Sequence, residues 1–168
     1  MATLNSTFGA SHVVGGAYHP IRNTIFMVQD DQPPAATDNL VAEIDPVTGA
    51  VLNQFDLITT YNVGYGDLEI SPVTGHLFLV SADEDTIIQY TPDGAPTEEH
   101  ALPTGVTNIS GLALDCATGE AWVCNTSGFI YRLGGFPCGN QIGENNALAC
   151  ADGIDNDGDG TIDCDDPG

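Results

Sequence analysis

Apolar and polar residues alternate along most of the chain with a period of two, as in half-buried β-strands. The alternating runs are rich in β-branched residues and are separated by turn segments such as DPVTG at 45–49 and TPDG at 91–94. No run has both the period and the length of a helix. The pattern therefore predicts an all-β protein built from antiparallel strands.

One unit of this pattern occurs three times. The segments 18–28, 70–80 and 114–124 align without gaps as YHPIRNTIFMV, ISPVTGHLFLV and LDCATGEAWVC. Equivalent residues are Pro20, Pro72 and Cys116 at one position, and Phe26, Phe78 and Trp122 at another. An apolar strand precedes each turn, and a second hairpin follows each unit, truncated in the third copy. Four strands repeating roughly every 45–50 residues are typical of a β-propeller blade, and the spacings here are 52 and 44 residues.

The three copies resemble the NHL-type and related secreted bacterial propeller repeats. The resemblance implies β-propeller-type antiparallel four-stranded blades, about three in this chain. A meander folded into a β-sandwich is the alternative. The chain is accordingly divided into an N-terminal arm (1–10), the blade repeats (11–138), and a linker with a small irregular calcium-binding loop (139–168).

Three blades are too few to close a ring, since propellers contain roughly four to eight. An open stack exposes sheet faces and strand edges that soluble proteins rarely leave uncovered. We expect that further chains complete a ring, that the blades form an open assembly, or that a longer protein supplies the rest. The arm could add an edge strand to its own chain or to a neighbour. A head-to-tail contact that does not close would give a filament.

The C-terminal segment carries oxygen ligands at the spacing of a calcium loop. Positions 1, 3, 5, 7, 9 and 12 of this loop are Asp155, Asp157, Asp159, Thr161, Asp163 and Asp166. Alternate residues of a tight loop can point at one ion, Gly160 permits the turn, and the carbonyl of Thr161 supplies a ligand. The segment resembles thrombospondin type 3 repeats (DxDxDGxxDxxD), which implies structural calcium. A disordered, solubilising tail is the alternative.

The five cysteines suggest two disulfides. Cys150 and Cys164 bracket the acidic loop, so a bond between them would close it. A turn at 125–128 places Cys116 opposite the region of Cys138, which predicts a second pair. Cys124 then remains unpaired, and we expect a small buried hydrophobe there rather than a reactive thiol. Disulfides together with calcium point to an extracellular or cell-surface location.

The charge balance excludes several partners. The chain of 168 residues has 24 acidic side chains, only Arg22 and Arg132 as cations besides histidine, and a formal charge of −22. Nucleic acids and anionic membrane surfaces are excluded, because binding them requires basic residues. High salt or divalent cations are the expected surroundings, and a halophilic origin would also explain the acidity. No stretch approaches the roughly 20 apolar residues of a membrane span.

Three sequons make glycans candidate partners. They lie at Asn5, Asn108 and Asn125, and the predicted exposed turn makes Asn125 the best acceptor.

A search for catalytic residues identifies little. In the gluconolactonase-like propellers, the resemblance implies metal ligands at the starts of inner strands, which correspond here to Gly66, Asp67, Ser110 and Gly111. Only Asp67 could ligate, and Glu69 is the other acid on these strands. No nucleophile elbow, phosphate loop or haem motif is present.

We expect a non-enzymatic extracellular structural subunit that self-associates and is stabilised by calcium and disulfides. The alternative is a propeller ligand-binding or gluconolactonase-like hydrolase module, complete only within a larger ring.

Overall fold

The structure, a computed structural model, describes residues 3–8, 12–30 and 39–136. Within those ranges the chain forms eleven β-strands and no helix. The strands make three antiparallel sheets, and each sheet corresponds to one copy of the sequence repeat. The prediction of an all-β chain with propeller-type blades is therefore confirmed.

Each sheet is a meander whose strands follow one another in chain order. Blade 1 contains β1 (Val13–His19), β2 (Thr24–Gln29), β3 (Leu40–Ile44) and β4 (Val51–Asp56). Blade 2 contains β5 (Asp67–Ile70), β6 (Leu77–Val80), β7 (Thr86–Tyr90) and β8 (Pro96–Ala101). Blade 3 contains β9 (Ile109–Asp115), β10 (Glu120–Asn125) and β11 (Ile130–Gly134). The first strand of blade 2, β5, contacts the first strands of both neighbours, β1 and β9, so these three strands form the inner side of the stack of blades.

The turns of the hairpins are stabilised by a side-chain acceptor at their first residue and a positive φ at their last. In the β3–β4 turn, Oδ1 of Asp45 accepts hydrogen bonds from the N–H groups of Val47 and Thr48 at 2.7 and 2.8 Å. Gly49 ends this turn with a φ of 75°, a conformation that costs glycine little. Equivalent turns end on Asn23, Gly75 and Gly119, all with positive φ. A polar first residue and a glycine or asparagine four positions later thus set the hairpins of all three blades.

Alternation along the strands gives every blade two faces. In β2, Phe26 and Val28 point towards blade 2, whereas Ile25 and Met27 point to the opposite side. One core lies between blades 1 and 2 and includes Phe26, Val28, Val41, Leu68, Ile70, Leu77, Leu79, Ile88 and Tyr90. A second core lies between blades 2 and 3 and includes Phe78, Val80, Ile87, Ile109, Leu112, Ala121 and Val123. Burying each large apolar side chain stabilises the fold by roughly 1.5–3 kcal/mol.

The described part of the N-terminal arm, residues 3–8, forms no strand, so the expected edge strand is not seen there. It lies instead against the outer face of blade 1. Phe8 is buried there beside Ala42 and Ile44. The arm also passes Gly49 so closely that a Cβ at this glycine would lie 2.5 Å from the carbonyl oxygen of Asn5.

A polar contact joins blade 1 to blade 2. Arg22 donates from Nη1 to Oε2 of Glu43 at 3.2 Å and from Nη2 to Oδ1 of Asp93, in the β7–β8 turn, at 2.6 Å. The second carboxylate oxygen of Glu43 accepts from Oγ1 of Thr24 at 2.8 Å. Glu43 is buried, so Arg22 both neutralises it and links the two blades.

Replacing Arg22 by Met should lower the free energy of unfolding by about 1–3 kcal/mol, because Glu43 would remain buried with one polar partner fewer. Arg132→Met is the matched control. Arg132 is exposed and pairs with Glu120 at 3.4 Å, so its loss should cost less than about 1 kcal/mol. Urea unfolding of both variants at low protein concentration measures the difference. Equal losses would contradict the assigned role of Arg22.

Candidate functional site

One position of the inner strands holds a carboxylate in blade 2 and a glycine in the other two blades. The equivalent residues are Gly15, Asp67 and Gly111 in blades 1, 2 and 3. The Asp67 carboxylate bridges two blades. Its Oδ1 accepts from the N–H of Leu68 at 2.9 Å, and its Oδ2 accepts from the N–H of Leu112 at 3.1 Å. A Cβ at Gly15 would lie 2.7 Å from Cα of Asp67, so glycine allows the inner strands of blades 1 and 2 to approach.

Glu69 lies two residues along β5, on the same side as Asp67. Burial raises the pKa of the Asp67 carboxyl, and the N–H groups of Leu112 and Leu68 oppose the rise. Burial also raises the pKa of Glu69, the N–H of Ile70 opposes it, and the charge of Asp67 raises it further. The inner strand of blade 2 thus holds two carboxylates at an energetic cost.

This pair does not by itself form a metal centre. Both oxygens of Asp67 accept backbone hydrogen bonds. The preceding residue is Gly66, and the equivalent pair in blade 3 is Ser110 and Gly111, so none of these neighbours adds a carboxylate. Across the described ranges, no three or more His, Cys, Asp or Glu side chains are grouped so that they could hold a metal ion.

A polar row that the sequence did not reveal lies between blades 2 and 3. Gln89 is buried, its Nε2 lies 2.5 Å from Nδ1 of His76, and its Oε1 lies 3.1 Å from Nε2 of His100. Burial lowers the pKa of His100, and the charge of Glu98 opposes this. Beside His100 is a cavity of about 300 Å³, which is also lined by Leu102, Arg132 and Phe136. Only the cross-strand register of β6, β7 and β8 brings these residues together, and the sequence spacing of the histidines gave no signal.

The face of blade 3 that points away from blade 2 is equivalent to the face that blade 1 turns towards blade 2 and to the face that blade 2 turns towards blade 3. Equivalent residues from blade 1 to blade 3 are Phe26, Phe78 and Trp122, then Val28, Val80 and Cys124, then Val41, Ile87 and Ile130. In blades 1 and 2 these residues are buried by the following blade. In blade 3, Trp122 is 43% exposed and Ile130 is 71% exposed. We name this surface the Trp122 face, and it comprises Gly111, Ala113, Trp122, Cys124, Ile130 and Arg132.

Blade 1 has a partly exposed face at the other end of the stack, on the side that points away from blade 2. We name it the Met27 face, and it comprises Tyr18, Ile25, Met27, Ala42 and Ile44. The equivalent residues of blade 2 are Ile70, Leu77, Leu79, Ile88 and Tyr90, and all of them are buried against blade 1. On the Met27 face, Ala42 and Ile44 are buried beside Phe8, whereas Ile25 and Met27 remain partly exposed.

Cys124 corrects one expectation. We expected a small buried side chain, but Cys124 is exposed and free. The reason is its place on the Trp122 face, because Val28 and Val80 at the same position are covered by a following blade and Cys124 is not. Cys116 is buried. Cys138, Cys150 and Cys164 lie outside the described residues, so both disulfides stay predictions.

The remaining predicted site residues are placed only in part. Asn5 and Asn108 are exposed. Asn125 is less exposed, because its Oδ1 accepts from the N–H groups of Ser127 and Phe129 at 3.1 and 2.9 Å. The geometry thus favours Asn5 and Asn108 as acceptors over Asn125, and glycosylation stays a prediction. The calcium ligands Asp155, Asp157, Asp159, Thr161, Asp163 and Asp166 all lie outside the described residues.

Glu69→Gln should stabilise the protein increasingly as the pH rises from about 4.5 to 7.5. The folded state raises the pKa of Glu69, so its contribution is favourable below the unfolded-state pKa of about 4.3 and is lost as the pH rises through the folded-state pKa. The gain should stay below about 1 kcal/mol, since the side chain is only partly buried and solvent screens its charge. Urea unfolding across this range measures it, with the exposed Glu99→Gln as control. Parallel pH profiles for the two variants would contradict the assignment.

No helix among the described residues is long and apolar enough to cross a membrane. No protein-family model matches the chain, and no curated protein matches it significantly.

Solved structures do match. A catalytically inactive virginiamycin B lyase from Staphylococcus aureus, determined with quinupristin, is 18% identical and superposes with a TM-score of 0.53. The match covers 78% of this chain and 44% of that one. A streptogramin B lyase is 15% identical over 74% of this chain and 41% of its own length, with a TM-score of 0.45. The chain therefore spans less than half the length of these structures, and the first likeness shows that its fold is that of a β-propeller.

Proposed function

We propose that this protein is a secreted or surface-exposed, non-enzymatic propeller subunit that self-associates. The observation that supports the proposal most directly is the exposure of Trp122 and Ile130 at positions that a following blade buries twice within the same chain. An apolar sheet face of this kind marks an interaction surface. The blade 1 end carries a second such face, so the chain offers two surfaces suited to assembly.

The charge of the chain sets the conditions for assembly. Each copy carries a formal charge of −22, so two copies repel each other in dilute buffer. Salt shortens the range of this repulsion to about 8 Å at physiological ionic strength and about 3 Å at 1 M. Divalent cations would lower the charge itself. Self-association driven by apolar faces should therefore strengthen with salt, opposite to an association driven by ion pairs.

We also propose that calcium binds the loop from Asp155 to Asp166 and stabilises the secreted protein. The support is the alternation of Asp155, Asp157 and Asp159 with glycine in the next position, a donor set of hard oxygens. Oxygen ligands and a bracketing pair of cysteines suit an extracellular structural site rather than a calcium sensor.

A second candidate function is a ligand-binding or hydrolase module that is complete only within a larger ring. Asp67 and Glu69 on the inner strand favour it, since ligand sites of such modules lie where inner strands meet. The engagement of both Asp67 oxygens with backbone N–H groups weighs against it. Loss of binding or hydrolysis of a sugar lactone in Asp67→Asn and Glu69→Gln would support this candidate over the first.

Sedimentation velocity in 1 M NaCl should show species of at least twice the monomer mass of 17.5 kDa, with their share falling on dilution and in low salt. The apolar faces drive this association and the acidic surface opposes it. A single monomer peak at every salt and protein concentration would contradict the proposed function.

Asp157→Ala should abolish most of the rise in melting temperature that calcium gives the natural protein. At 10 mM calcium and a Kd of about 0.1–1 mM, binding stabilises by about 1.4–2.7 kcal/mol. Asp165→Ala is the control, since Asp165 lies in the same loop but at no ligand position. Calorimetry with calcium or a chelator measures the effect. An unchanged melting temperature of the natural protein in calcium would refute the site.

A further inference from the structure

We propose that the Trp122 face of one copy docks on the Met27 face of a second copy, head to tail, as the next blade of the stack. The inference rests on the proposed self-association. It adds which two surfaces meet, that they meet head to tail, and that they align as neighbouring blades do within the chain. It excludes an isologous contact in which two Trp122 faces meet.

The first argument is continuity with the interfaces inside the chain. Between blades 1 and 2, Phe26 and Val28 pack on Leu77 and Leu79. The same positions of the series are Trp122 and Cys124 on the Trp122 face, and Ile25 and Met27 on the Met27 face. A Trp122 face placed on a Met27 face therefore repeats an apolar contact that the chain already makes. Two Trp122 faces placed together repeat no contact that occurs in the fold.

The second argument comes from the inner strands. A side chain at Gly15 would not fit, because an added Cβ would lie 2.7 Å from Cα of Asp67 in the next blade. Gly111 occupies the same position in blade 3, where an added Cβ would lie 2.5 Å from Sγ of Cys124 on the same face and within 4 Å of no backbone atom of a following described strand. No described inner strand therefore lies beside Gly111 as β5 lies beside Gly15, and an incoming inner strand would meet Gly111 and Cys124 there.

The third argument concerns the arm. In the contact between blades 1 and 2, Phe55 of the fourth strand stacks on Tyr90, with ring centroids 5.7 Å apart. The equivalent of Tyr90 on the Met27 face is Ile44, and Phe8 already covers it. The three described strands of blade 3 match the inner part of the Met27 face, and Phe8 covers the outer part.

Two variants block the two surfaces separately. Trp122→Asp places a charge on the Trp122 face, and Met27→Glu places one on the Met27 face. Each should weaken self-association at least about 30-fold in 1 M NaCl, because each replaces a large apolar side chain at the centre of the contact by a carboxylate. Val73→Asp is the control, since Val73 is 45% exposed, as Trp122 is, and lies in the β5–β6 turn on neither face.

Mixing the two variants provides the decisive measurement. Each variant retains the surface that the other lacks, so the mixture should form a one-to-one complex although neither variant associates alone. The chain contains one tryptophan, so only Met27→Glu fluoresces at tryptophan wavelengths. Titration with Trp122→Asp should therefore shift its emission to the blue and protect Cys124 of Met27→Glu from alkylation. Circular dichroism of each variant confirms that both fold.

The outcomes separate the two proposals. A complex formed only in the mixture supports the head-to-tail contact. Self-association that survives Met27→Glu and is lost in Trp122→Asp would establish an isologous contact and overturn the inference. Self-association that survives both changes would overturn it as well, while leaving the proposed function intact. A natural protein that never self-associates overturns both.

Discussion

Every part of this structure depends on the requirement that an apolar sheet face be covered by another sheet. Alternation makes both faces of a central blade apolar, so blade 2 is stable only between two neighbours. The requirement orders the chain as a stack, places β1, β5 and β9 together on the inner side, and leaves an unsatisfied face at each end. The proposed assembly is a consequence of the same requirement, extended beyond one chain.

Polar groups between the blades are placed to accompany this apolar packing. Arg22 neutralises the buried Glu43 and reaches Asp93 in the next blade, which gives one of two arginines a structural task. Asp67 uses its carboxylate to accept the N–H of Leu112 across the second interface. These contacts fix how one blade is oriented on the next, whereas the apolar residues supply most of the attraction. The acidic surface would act against the proposed association and make it dependent on salt.

Much of the fold was predictable because its signals are local. Strand alternation, the turns at Asp45 and Ser71, and the alignment of Phe26, Phe78 and Trp122 are all visible within short windows of sequence. The candidate site was less accessible. His76, Gln89 and His100 meet only because β6, β7 and β8 pair in a particular register, and Cys124 is exposed because no blade among the described residues covers it. Such facts depend on contacts between residues that are distant in the chain.

The sequence by itself determined the class of the fold, the three repeats and the acidic charge, and it predicts the calcium loop. These properties follow from the order and chemistry of residues within each repeat. Only the tertiary structure decided which face of each blade meets a neighbour, that Phe8 covers blade 1, and that Trp122 is left exposed. The repeat places an apolar residue at position 122 as at positions 26 and 78, and whether that residue is buried depends on the number of blades that pack together.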